Sequence, residues 1–129
     1  MSMVNDIAEE LEDDGVGTVG TNIFCGKMPD APDICIAVSQ YGGQPIDEVS
    51  EDMEYPGLQI IVRGAKDGYA AAMTMAEAVR QSIHGITDTT LTSTYYYRIS
   101  ANHSPAQLGF DGNDRPLFVI NFSVIKEVT

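Results

Sequence analysis

The segment LGFDGNDRPLFVINFSVI, residues 108–125, decides how this chain folds. Its second half alternates. Phe118, Ile120, Phe122 and Val124 fall on one side of an extended backbone, and Asn121 and Ser123 fall on the other. Period-two patterning of this kind predicts a strand with one buried face. Just before it, Asp111, Gly112, Asn113 and Asp114 crowd together and raise the question of a metal loop or a carboxylate pair. The calcium reading fails on spacing. An EF-hand loop places its glycine sixth and ends in a glutamate at the twelfth position. Here Gly112 is second and the twelfth residue is Phe122. A turn uses every one of these residues. Asp and Asn tolerate left-handed backbone, Gly adopts positive φ freely, and Pro116 suits the first residue of an edge strand.

Working outward, Val4, Ile7, Ala8 and Leu11 recur at helical spacing, predicting a short amphipathic helix from Ser2 to about Asp14 that ends at Gly15 and Gly17. TNIFCGKM and DICIAVSQ read as strands joined by a turn at Pro29-Asp30-Ala31-Pro32, and GLQIIVRG as a third strand. Asp67 is placed to cap a helix running to about His84, with Tyr69, Ala72, Ala76, Val79 and Ile83 on one stripe. A threonine-rich stretch follows. The strand YYYRISA then puts Tyr95 and Tyr97 on one face and Tyr96 on the other. The expected architecture is a single α+β domain over 1–129, with two helices packed on a mostly antiparallel sheet. The expected order is helix, three strands, helix, two strands. A Gly-, Pro- and acid-rich loop at about 41–55 is too long for an ordinary connection.

Composition narrows the function. The chain has 129 residues with 7 Lys+Arg against 19 Asp+Glu, a net charge of −12. Such a surface repels phosphate, so reading of nucleic-acid grooves is not expected. The acids concentrate in two places: Glu9, Glu10, Glu12, Asp13 and Asp14 at the end of the first helix, and Asp47, Glu48, Glu51, Asp52 and Glu54 in the long loop. The first cluster has the wrong sign for a helix C-terminus. No apolar run approaches the length of a membrane-spanning helix, and the acidic N-terminus lacks the apolar core of a signal peptide. Cys25 and Cys35 sit in apolar runs and read as buried, reduced thiols.

Catalytic constellations are not assembled by this sequence. A cysteine hydrolase would have to pair Cys25 or Cys35 with His84 or His103, and neither cysteine precedes a helix that would lower its pKa. Gly42-Gly43 leads into Gln-Pro and acids, which suits neither a phosphate nor a dinucleotide. The expectation is no enzyme, no cofactor and no metal. Arg63 and Arg115 each end a strand beside a glycine or proline and are positioned to bind turn acids, Arg115 holding the turn that carries Asp111 and Asp114.

Five segments in order, GVGTVGTNIFCGKMPDAPDICIAV, YGGQP, EYPGLQIIVRG, IHG and LGFDGNDRPLFVINFSV, resemble the phage minor capsid family whose members are tail terminators of long-tailed bacteriophages. The pattern maps onto Gly17, Phe24, Pro29, Gly42, Gly43, Tyr55, Pro56, Gln59, Arg63, Gly109, Asp111, Arg115, Pro116 and Asn121, and the acidic 47–54 loop departs from it. The resemblance implies a virion protein of the head–tail junction, assembled in the host cytoplasm. It would form a homo-oligomeric ring, a hexamer, on the tail tube protein, end tube polymerisation and meet a head completion or connector protein. DNA would pass through without specific binding, and no membrane is involved. Spheres of about 18 Å radius, six in a ring, leave a hole of about 35 Å, wide enough for a duplex. On this reading Tyr41, Gly42, Gly43, Arg63 and Arg115 are expected at subunit contacts, and the acids Asp47, Glu48, Glu51, Asp52 and Glu54 at a DNA-repelling lumen. The competing expectations are a neighbouring head- or tail-completion protein and, from another class, an acidic DNA-mimic inhibitor.

Overall fold

The computed structural model describes residues 2–43 and 52–128. Helix α1 spans Met3–Asp13 and begins where the Ser2 hydroxyl accepts from the Asn5 N–H at 3.4 Å. It buries Met3, Ile7, Ala8 and Leu11 and stops at Gly15, whose φ of 78° is open to glycine at little cost. Helix α2 spans Tyr69–Ile83 and turns Ala72, Ala76, Val79 and Ile83 inward. Asp67 does not cap it. Gly68 holds the N-cap position without a side-chain bond, and Asp67 is taken to φ 61° by the tight turn in which the Gly68 N–H donates to the Ala65 carbonyl.

The strands are β1 (Ile23–Cys25), β2 (Cys35–Tyr41), β3 (Met53–Glu54), β4 (Gly57–Arg63), β5 (Thr87–Leu91), β6 (Thr94–Ala101), β7 (Ala106–Phe110) and β8 (Pro116–Glu127). They form one sheet in the order β1-β2-β4-β8-β6-β5, with β3 and β7 also pairing with β8. The α+β class holds, but the sheet is mixed: β1 and β2 run parallel, and the other pairs are antiparallel. The element order also differs from expectation, with four strands between the helices and four after α2. The extra strands β3, β5 and β7 have no residue in the buried class, so they carry no period-two alternation to read.

β8 is the axis of the sheet. Its first half lies between β7 and β4, and its second half meets β6, β4 and β3. Pro116 therefore opens a central strand rather than an edge strand. It is tolerated because it occupies the first position, and its carbonyl accepts from the Gly64 N–H at 2.9 Å. Phe118, Ile120, Phe122 and Val124 are buried, as the alternation requires, while Ser123 is exposed.

Tyr96 points into the core and donates its hydroxyl to Asp6 Oδ2 at 2.7 Å, both residues being almost wholly buried. Burial pushes the Tyr96 phenol well above its usual value, and the bond to the Asp6 carboxylate adds to the effect. Tyr95 and Tyr97 lie on the opposite face as an edge-to-face pair with ring centres 4.9 Å apart.

Candidate functional site

At the end of the sheet where β4 finishes and β8 begins, two guanidiniums organise the connection between β1 and β2. Arg63 donates Nε to the Asp33 carbonyl at 2.8 Å and Nη2 to the carbonyls of Pro29, Asp30 and Pro32 at 2.8, 3.2 and 2.7 Å. Arg115 bonds the Asp30 carbonyl at 2.7 Å and pairs with Asp30, Asp33 and Asp111 at 2.9, 3.0 and 2.8 Å. A connection that must reverse direction, so that β2 runs parallel to β1, has few backbone partners of its own. The planar donor forks supply them.

Both arginines are buried, at 4% and 5% exposure. They were expected at a subunit contact, but in this chain their donors are engaged by its own loop. Burial opposes the Arg115 charge, and its bonds to Asp30, Asp111 and Asp33 outweigh that and hold it protonated.

The segment Asp111–Asp114 is the β7–β8 turn. Asp111 Oδ1 accepts from the N–H groups of Asn113 and Arg115 at 2.9 and 3.0 Å, and Asp114 takes φ 61°. Burial pushes the Asp111 carboxyl up, but these two N–H groups and the Arg115 guanidinium prevail and hold it below its usual value of 3.8. A carboxylate depressed in the fold stabilises above its unfolded pKa and loses that contribution as pH falls through the folded value. Asp111→Asn is therefore expected to flatten the acid limb of stability below about pH 4, measured as denaturation midpoint against pH. An unchanged acid limb would contradict this.

At the other end of β4, Tyr41 pairs with Gly57, and its ring covers the space where a Gly57 side chain would stand. Gly43, at φ 74°, brings its Cα against the backbone of Tyr55, Pro56 and Gly57, an approach closed to any residue with a Cβ. Tyr41, Gly42 and Gly43 are exposed, and beside them lies a cleft of about 290 Å³ that reaches Asn102 and Ser123.

Of the loop acids, Asp47, Glu48 and Glu51 lie outside the described residues. Asp52 is exposed. Glu54 is not a free acid facing solvent, because it is held at 2.5 Å by the ammonium of buried Lys126. The sequence carries no local sign of this pair, because the β3–β8 pairing alone places Lys126 beside Glu54.

The chemistry of a cysteine hydrolase is not brought together among the described residues. Cys25 is exposed rather than buried, with Sγ 3.7 Å from the Val4 carbonyl, whereas Cys35 is buried. Burial, with Glu9 nearby, pushes the Cys25 thiol up, and burial likewise raises Cys35, the opposite of the shift that activates a thiol. His84 Nδ1 accepts from the Ala101 N–H at 2.9 Å, and His103 Nε2 lies 3.1 Å from the Asn121 side-chain amide. No group of three His, Cys, Asp or Glu side chains among the described residues is placed to hold a metal ion.

A family model described as bacteriophage tail terminator protein matches residues 10–128. No curated protein matches the chain. Among solved structures, a chain of a structure described as "Virion of native gene transfer agent (GTA) particle" is similar in fold, with a TM-score of 0.78 and 14% identity. The similarity covers 98% of this chain and 96% of that one.

Proposed function

Because this chain belongs to the bacteriophage tail terminator protein family, whose model matches residues 10–128, we propose that it ends growth of the tail tube and joins the tail to the head. That match carries the reading, and the fold likeness to a virion component supports it. The chain is a structural tail protein. In the proposed assembly, copies form a closed head-to-tail ring, a hexamer, seated on the tube protein and facing a head completion or connector protein. A ring of this kind needs two different complementary patches on each copy, and a rotation that closes.

Tyr41, Gly42 and Gly43, exposed at the root of the 44–51 segment, are the proposed contact to a neighbour or to the tube. Arg63 and Arg115 contribute indirectly, by holding the 29–33 loop in shape. The charge of −12 per copy sums to −72 over six. Acids facing the lumen, Asp52 among them, would repel phosphate and let DNA slide.

Electron microscopy of purified particles with this chain located in density tests the reading. The expected result is a ring at the head-proximal end of the tail. Particles that lack the chain refute it.

A further inference from the structure

Strand β7 leaves one edge free. Among the described residues it pairs only with β8, and its five residues, Ala106–Phe110, include no charge and no proline. Exposed edges are ordinarily guarded by such residues, as in β5, which carries Asp88. β7 instead presents Leu108 and Phe110. At 55% and 56% they are more exposed than any other large apolar side chain among the described residues. The register shifts between Gln107 and Gly109, so Leu108 stands outside the ladder, and Gly109 takes φ 107°. A bulge of this kind re-aims a side chain. Asp111, next to Phe110, is neutralised by Arg115, and its bonds fix the β7–β8 turn behind the protrusion.

Further along β8 lies a hollow of matching character. It is the cleft of about 290 Å³ between Tyr41, Tyr55, Pro56, Asn102, Ser123 and Ile125, and no charged residue lines it. Phe110 is in register with Pro116, and the hollow begins seven residues on, at Ser123. At about 3.3 Å per residue the two are about 23 Å apart. The ladder fixes β7 to β8, so a chain's own Phe110 does not reach its own hollow.

We propose that Phe110 of one copy enters this hollow on the next copy, with Leu108 against its rim. The β7–β8 hairpin is then the knob of a head-to-tail contact. The proposal rests on the ring reading and names what meets the Tyr41 surface within it.

Three observations favour a second copy as the occupant. A head-to-tail contact needs two different patches set apart on each chain, and the protrusion and the hollow are such a pair. Each copy carries a charge of −12, so copies repel where acids meet, and β7 and the hollow are both uncharged. The hollow offers two tyrosines, a proline and an isoleucine to an incoming phenylalanine, and interface cores are enriched in aromatic residues and depleted of charge.

The test uses the full-length chain. Phe110→Asp spoils the knob, Ser123→Tyr fills the hollow, and Thr90→Asp adds the same charge on exposed β5 as a control. Sedimentation velocity over a concentration series follows self-association, and circular dichroism confirms folding. Phe110→Asp and Ser123→Tyr are each expected to weaken association about tenfold, and Thr90→Asp to leave it unchanged.

Cross-linking identifies the contact without removing Phe110. With exposed Cys25 changed to Ser, copies carrying Leu108→Cys are mixed with copies carrying Asn102→Cys under mild oxidation. Disulfides are expected between unlike copies and not within either population alone. A wild type that stays monomeric, a Phe110→Asp variant that associates like the wild type, or cross-links no more frequent between unlike copies than like ones overturns the proposal.

Incorporation into particles separates this contact from the function it rests on. If Phe110→Asp blocks incorporation while self-association is unchanged, the knob meets a different protein and the second-copy assignment falls. If the solution results hold while the chain is absent from particles, the contact stands and the tail-terminator function fails. If a ring is present in particles and both variants enter it normally, the function stands and the contact fails.

Discussion

Arg63→Ala is expected to destabilise the fold by about 4 kcal/mol, because it removes the donor that four loop carbonyls share. Hydrogen bonds from a charged donor contribute about 1.5–3 kcal/mol each, but the loop relaxes toward water once released, so the sum is not realised. Arg115 still holds Asp30 and Asp33, which limits the loss further. Arg63→Lys should recover little of it. A single ammonium keeps the charge but cannot present the fork that reaches Asp33 on one side and Pro29 and Pro32 on the other. Urea denaturation of the three proteins under one buffer condition measures this. A loss under about 1 kcal/mol for Arg63→Ala would show that the loop holds itself.

Phe118→Ala is expected to cost about the same, close to 4 kcal/mol, by a different route. Phe118 is wholly buried in β8, in register with Val62 of β4 and Gln107 of β7. Its ring packs against Tyr69 at 5.2 Å between centres, fixing the first turn of α2 on the sheet. Removing it leaves a cavity roofed by that turn. The turn has no side-chain cap of its own, so it should fray, and faster amide exchange across the first turn of α2 would report it. Tyr69→Ala removes only the half-exposed partner and should cost less than about 1.5 kcal/mol. If Tyr69→Ala proves the more damaging, the helix is held by the tyrosine rather than by the core beneath it.

The parts of this fold that were legible beforehand share one property: each buries one face and exposes the other. The helix at Met3–Asp13, the alternation from Phe118 to Val124 and the splitting of Tyr96 from Tyr95 and Tyr97 all wrote their burial into the residue order. The turn at Asp111–Asp114 was legible because Asp, Gly and Asn meet its backbone demands locally. Strands β5 and β7 were not, because a strand with no buried residue leaves no period in the sequence. The same holds for the candidate site. Tyr41, Gly42 and Gly43 could be named from composition, but that Gly43 lies against the backbone of residues 55–57 depends on a contact made across the sheet.

The sequence by itself determined the α+β class, the positions of both helices, the main strands and the turn, since these follow from local preference and side-chain period. It also showed the excess of acid and, by resemblance, the family. Only the tertiary structure decided what the charges do. It spent Arg63, Arg115 and Lys126 inside the chain, turned β1 parallel to β2, and buried Asp6 under Tyr96 with one oxygen unpaired. A charge's role depends on which partners residues far apart in sequence bring within about 3 Å, and no local pattern encodes that distance.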